Sequence, residues 1–225
     1  FSDIAQKTKT SFIYFMLKQL HKMSHYSDKH YTPSSEYDKF YYDILFKGGG
    51  KILDIGCSTG NFIAQDPKNI VGLDIDKDAV KIAKKRGFKA FSHDVTKKLP
   101  FKSYSIDNVH CRHVLEHLKE PLPFMKGIFR ILKKNGRLVL LTDRMTSHFW
   151  DDYTHKKPFT KTSLEQVAYD CGFRRFQVYE FPSQGVFGLG FLYKHKFVSA
   201  KSALRLYRLF GKFFNTDSIL LDALK

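Results

Sequence analysis

Cysteine is scarce in this chain. Only Cys57, Cys111 and Cys171 occur in 225 residues, and their spacing matches no zinc finger or ribbon. So sparse and odd a count excludes a disulfide-built scaffold and suits a reducing compartment. Tryptophan occurs once, and acids are few. Asp and Glu number 22 against 38 Lys and Arg, a net charge of +16. That excess points to an anionic partner or surface, for which nucleic acid and anionic lipid both qualify. No apolar run of 18 residues occurs, so no segment reads as a spanning helix. No Gly-Lys-Ser/Thr phosphate loop is present, which argues against a nucleoside triphosphatase.

What is present is a hydrophobic fraction of 43%, enough for a core, in a length that fits one domain with appendages. The most informative stretch is Lys51-Ile-Leu-Asp-Ile-Gly-Cys-Ser-Thr-Gly60. Ile52 to Ile55 reads as a buried parallel strand. It runs into Gly56 and Gly60, with Asn61-Phe62-Ile63 expected to open a helix. Gly56 lets the backbone turn tightly and approach a ligand, because it has no Cβ. The spacing is Asp-x-Gly-x-x-x-Gly and not the Gly-x-Gly-x-x-Gly of dinucleotide binders. A pyrophosphate wants bare amides at a helix N-terminus. A ligand ending in a zwitterionic amino acid wants a carboxylate, which Asp54 supplies.

This pattern resembles motif I of the class I S-adenosylmethionine (SAM) dependent methyltransferases. Later segments follow that family in order. Asn69-Ile-Val-Gly-Leu-Asp74 reads as a second strand ending in an acid, placed where a carboxylate can accept both ribose hydroxyls. Ala79 to Arg86 reads as a helix stopped by Gly87, and Phe88 to Phe91 as a third strand. Ser105 to Cys111 reads as strand four. Arg130 to Thr142 reads as a helix, a Gly turn and strand five. The resemblance implies a Rossmann-like, doubly wound α/β sheet of seven strands, order 3-2-1-4-5-7-6, with the last strand antiparallel. It implies SAM as cofactor. It places Asp94 at the adenine amino group and the Cys111 backbone at the methionine end. Asp54, Gly56, Cys57, Gly60, Asp74, Ile75, Val95 and His113 complete the expected cofactor set.

Residues 1–46 are expected to form a helical cap before a methyltransferase domain over 47–225. Ser11 to Met23 carries apolar side chains at helical spacing. Residues 182–216 look inserted before a last strand at Asp217 to Leu224. Within the insert, Lys201 to Phe214 forms a basic amphipathic helix. Leu206, Tyr207, Phe210, Phe213 and Phe214 share one face, and Lys201, Arg205, Arg208 and Lys212 lie opposite. Such a helix either packs on the core or lies in a membrane interface.

Phe149-Trp-Asp-Asp-Tyr-Thr-His-Lys-Lys-Pro-Phe-Thr160 follows strand five, at the carboxyl edge where open α/β sheets bind ligands. Asp152, Thr154, His155 and Pro158 resemble the Asp-x-Thr-His-x-x-Pro stretch of methyltransferases acting in polysaccharide and cell-envelope pathways. Lys156-Lys157 stands where those enzymes usually have Val-Arg. An alcohol acceptor must lose a proton as it is methylated, and His has a suitable pKa. His155 is the candidate base and Asp152 its orienter, against a reading of His155 as a plain loop residue.

His113-Val-Leu-Glu-His117 spells the His-x-x-Glu-His of inverted zinc proteases. A third ligand is not recognisable, so no metal is expected. The resulting expectation is an O-methyltransferase of the cytoplasm, peripheral at the inner face of the membrane. Its acceptor would be a small-molecule, glycan or lipid-linked precursor. Three alternatives stand beside it: a prenylated-quinone methyltransferase, which the Cys111–His117 segment also resembles; an RNA methyltransferase, suggested by the charge; and a non-catalytic membrane-binding module. Against RNA amine methylation, Cys111-Arg112-His113 stands where an Asp/Asn-Pro-Pro-Tyr motif would follow strand four.

Overall fold

The computed structural model describes residues 36–181 and 218–225, and between them positions 192, 195, 197–199, 202 and 206. In chain order the elements are α1 (Glu36–Leu45), β1 (Ile52–Ile55), β2 (Ile70–Asp74), α2 (Lys77–Lys85), β3 (Ala90–Ser92), β4 (Ile106–Arg112), α3 (Pro121–Ile131), β5 (Leu132–Asp143), α4 (Lys161–Asp170), β6 (Arg175–Phe181) and β7 (Ser218–Leu224). Short 3-10 turns stand at Ile63–Gln65, Leu115–His117 and Phe149–Asp151. The strands form one sheet in the order β3-β2-β1-β4-β5-β7-β6. The first five pair in parallel. β7 runs antiparallel to both neighbours. Order and direction are those expected from the sequence.

The sheet is buried on both faces because its strands are apolar in both phases. Along β5, Leu138 and Leu140 enter a core shared with Met125 and Ile128 of α3 and Leu164 of α4. Val139 and Leu141 enter the opposite core with Tyr41 of α1 and Val80 and Ala83 of α2. Helix starts are set by local chemistry. The Asp76 carboxylate accepts the N–H groups of Asp78 and Ala79, capping α2. Thr160 and Ser163 form a reciprocal capping box on α4.

One expected helix is absent. After Gly60 the chain makes only the 3-10 turn Ile63–Gln65. Pro67 disfavours helical geometry at Asp66, whose φ of −155° ends the turn. α1 packs on this turn instead. Tyr42 donates to Asp66 Oδ2 at 2.7 Å, and Phe46 meets Phe62 edge to face at 5.4 Å. The beginning of strand five also differs. β5 begins at Leu132, with a register break against β4 between Ile106 and Asn108. Asn135 takes the left-handed turn there, at φ 62°.

The helix expected over Ser11–Met23 lies outside the described residues, as do Lys201, Arg205, Arg208 and Lys212. Of the basic amphipathic helix, Ser202 is exposed, and Leu206 is half-buried against the core that holds Tyr41 and Leu220. Its expected apolar face therefore meets the core at the one apolar position described. Among the described residues no helix is long and apolar enough to cross a membrane.

Phe159 closes the segment after β5. It is fully buried, its carbonyl accepts Met145 N–H at 3.0 Å, and it forms a parallel bridge with Arg144. Phe159→Ala should cost about 3–5 kcal/mol in equilibrium unfolding. A loss below about 2 kcal/mol would show that the segment does not depend on this packing.

Candidate active site

β1, β2, β4 and β5 end side by side, at Ile55, Asp74, Arg112 and Asp143. Two groups of polar residues collect at this carboxyl edge, one over β1–β3 and one over β4–β5.

The first group surrounds the glycine loop. Gly56 has φ 80°, and a Cβ there would lie 2.5 Å from Val114 Cγ2. Glycine is required on both counts. Gly60 is equally constrained, with φ 88° and Phe88 Cδ2 at 2.6 Å from an added Cβ. Asp74 Oδ2 accepts Ser58 N–H at 2.7 Å and Oδ1 accepts Asp76 N–H at 2.9 Å. Those bonds fix the rotamer of a half-buried acid whose pKa burial pushes up. Beside it, the Ile75 side chain is 60% exposed. Asp94 Oδ1 accepts both the hydroxyl and the N–H of Thr96, which hold its pKa down. Val95 is half-buried against the core.

Asp54 is held from one side. It is buried, and its Oδ1 lies 2.7 Å from His110 Nδ1. The His110 ring stacks on Phe62 at 3.9 Å. The other Asp54 oxygen, Oδ2, is buried with no hydrogen-bond partner among the described residues. Cys57 and Cys111 also turn inward. Both are buried, and burial pushes both thiols up, which leaves no thiolate nucleophile.

The second group is built around Glu116, whose side chain is fully buried. Its Oε1 lies 3.0 Å from His113 Nδ1, and its Oε2 accepts Thr142 Oγ1–H at 2.8 Å. His113 Nδ1 also lies 3.1 Å from Asp143 Oδ1. Burial opposes charge on His113, but its bonds to Asp143 and Glu116 outweigh it and raise the pKa to about 9. Its imidazole, expected beside the cofactor, is therefore turned to these two acids. The Glu116 carbonyl accepts the N–H groups of Lys156 and Lys157 at 2.8 and 3.1 Å. The two lysines that depart from the related pattern thus anchor the loop through backbone, with exposed side chains.

Within that loop, Asp152 Oδ1 accepts Thr154 N–H at 2.8 Å and Thr154 Oγ1–H at 2.6 Å. Burial works to raise the Asp152 pKa, and the Thr154 bonds prevail, bringing it to about 2. With its proton on Asp152, the Thr154 hydroxyl accepts from His117 Nδ1 at 3.1 Å. His155 is oriented by a group other than the one expected. Its Nδ1 donates to the Phe149 carbonyl at 2.7 Å, and Asp152 Oδ2 stands 3.9 Å from its Nε2. Asp143 Oδ2 is 3.8 Å from the same nitrogen. Both imidazoles thereby keep the Nε2 lone pair in the neutral ring, and the rings meet edge to face at 4.9 Å. Around them Met145, Trp150 and Tyr153 are exposed.

Sequence reasoning does not assign Glu116, Asp143 or His110 to the site. Asp143 carries a readable signal, as the first acid after the buried run of strand five. Glu116 lies within His-x-x-Glu-His, where the histidine spacing is the conspicuous feature and the acid between is not.

Residues 53–140 match the model of a methyltransferase domain. The chain is 32% identical over 141 residues to an uncharacterized protein of Methanocaldococcus jannaschii, covering 57% of this chain and 67% of that one. It is 31% identical over 152 residues to a tRNA U34 carboxymethyltransferase of Helicobacter pylori, covering 56% and 57% of the two chains. A SAM dependent methyltransferase from Archaeoglobus fulgidus superposes with a TM-score of 0.63 at 21% identity, over 94% of this chain and 99% of the other. At that identity the likeness is one of fold. The chain spans about two thirds of the Methanocaldococcus relative and a little over half of the Helicobacter one.

Thr154→Val tests the hydrogen-bonded chain from Asp152 to His117. Long-range nitrogen–proton spectra should show His117 losing its Nδ1–H preference while His155, held by Phe149, keeps its own. An unchanged His117 pattern would refute the chain.

Proposed function

Since the chain belongs to the class I SAM-dependent methyltransferases, we propose that it methylates a hydroxyl of a glycan or lipid-linked acceptor. The observation that carries this reading is the pairing, at one sheet edge, of the glycine loop and Asp74 with a loop that offers His155. The first group fits the family's cofactor. Ser58 Oγ and Asp54 Oδ2 are buried without a hydrogen-bond partner among the described residues, as a polar ligand head would require. Gly56 gives backbone access, Asp74 accepts ribose hydroxyls, Ile75 flanks the base, and Asp94 takes its amino group.

When bound, SAM supplies an electrophilic methyl on a sulfonium. The protein's contribution is then mainly alignment. On the acceptor side, His155 Nε2 receives the hydroxyl proton, and the carboxylates of Asp143 and Asp152 stabilise the imidazolium. Trp150 and Tyr153 present flat, amphipathic faces at the rim for the acceptor. In sequence, Lys201, Arg205, Arg208 and Lys212 suit an anionic surface next to such an acceptor.

RNA is the second reading. It is favoured by the net charge of +16 and by the likeness to the Helicobacter enzyme.

Calorimetry with S-adenosylhomocysteine tests the cofactor half. The wild type should bind it at micromolar affinity, and Asp74→Ala should weaken binding about 10- to 150-fold, through loss of charge-assisted bonds. No heat with the wild type would sink this half. For the acceptor half, His155→Ala should lower turnover by about 10²–10⁴ with S-adenosylhomocysteine affinity nearly intact. Wild-type turnover in that variant would remove His155 from the chemistry.

A further inference from the structure

His113 and Glu116 stand three residues apart, and the sequence offers them no third ligand. The fold supplies one. Asp143, at the end of β5, brings Oδ1 to 3.1 Å from His113 Nδ1, which is itself 3.0 Å from Glu116 Oε1. One donor atom from each of the three lies within 4.8 Å of the other two. We propose that His113, Glu116 and Asp143 form a binding site for one divalent cation of the manganese or zinc class.

Spacing supports the assignment. With metal–ligand bonds of about 2.1 Å, neighbouring donors of an octahedral site stand about 3.0 Å apart. The two separations from His113 Nδ1, 3.0 and 3.1 Å, match that spacing, and an ion would replace the proton on this nitrogen, which would leave to solvent. One imidazole with two carboxylates is a borderline donor set, suited to manganese or zinc.

Each ligand is held from behind. Thr142 Oγ1 donates to Glu116 Oε2 at 2.8 Å, and Ser218 Oγ donates to Asp143 Oδ1 at 3.2 Å. Such supporting bonds orient ligands and tune their affinity. His113 has φ 52°, a left-handed backbone that a non-glycine residue keeps only where its surroundings enforce it. The bond from His113 N–H to the Leu141 carbonyl at 2.9 Å contributes to that hold.

The site is also open on one side. The His113 and Asp143 side chains are 36% and 27% exposed, so remaining coordination positions would face the cleft. Asp143 is shared with the base, since its Oδ2 lies 3.8 Å from His155 Nε2. An ion here would stand beside the place where the acceptor oxygen is deprotonated.

The test is calorimetry of chelator-treated protein with manganese chloride and zinc chloride near neutral pH. The wild type should take up one ion per chain. His113→Gln and Asp143→Asn should each weaken that binding at least ~10-fold, since loss of a supporting group alone costs that much. No binding of either ion by the wild type would overturn the site, as would binding unchanged in either variant. If a variant fails to fold, wild-type spectra still decide. Zinc should shift the ring signals of His113 before those of the exposed His148, and the reverse order would refute the assignment. S-adenosylhomocysteine titrations on the same samples keep this outcome separate from the cofactor reading, which survives a failure here.

Discussion

A buried carboxylate organises the sheet edge over β4 and β5. Glu116 is closed off from solvent, and a charge so placed must be paired and hydrogen-bonded. Its side-chain partners are His113 from the same loop and Thr142 from β5, 26 positions along the chain. Its carbonyl adds Lys156 and Lys157 from the following loop. One residue thereby ties the loop after β4 to the end of β5 and to the loop carrying His155. Removing the carboxylate would leave His113 and Thr142 without this partner at the point where three segments meet.

The edge over β1–β3 depends on backbone geometry instead. Gly56 turns at φ 80° against Val114, and Asp74 fastens the loop by accepting Ser58 N–H. Such features are local in sequence: a glycine at a fixed offset from a strand, an acid at the end of the next strand. They are therefore legible from the order of residues alone. Strand order is legible for the same reason, because alternating strands and helices with right-handed crossovers admit few arrangements. The exception is Asp54. Its place at the end of a strand can be read, but its burial against His110 cannot, since the two are 56 positions apart.

The edge over β4 and β5 is legible in part. Asp152, Thr154 and His155 stand out as a motif, yet their partners do not. His155 is oriented by the Phe149 carbonyl, a backbone group that no side-chain pattern announces. Thr154 joins Asp152 to His117 across 37 positions. The helix expected after Gly60 fails for a reason that is present in the sequence, since Pro67 ends the turn one residue after Asp66. α1 packs there, with its Tyr42 reaching Asp66 and Phe46, just after its end, reaching Phe62.

The central claim is that this edge transfers a methyl group to a hydroxyl of a glycan or lipid-linked molecule. The most direct measurement is turnover of methyl-labelled SAM with separate lipid, polysaccharide and tRNA fractions. Label is expected in the lipid or polysaccharide fraction, released by chemistry that cleaves methyl ethers. Label confined to tRNA, or no transfer to any fraction by protein that binds S-adenosylhomocysteine, would contradict it.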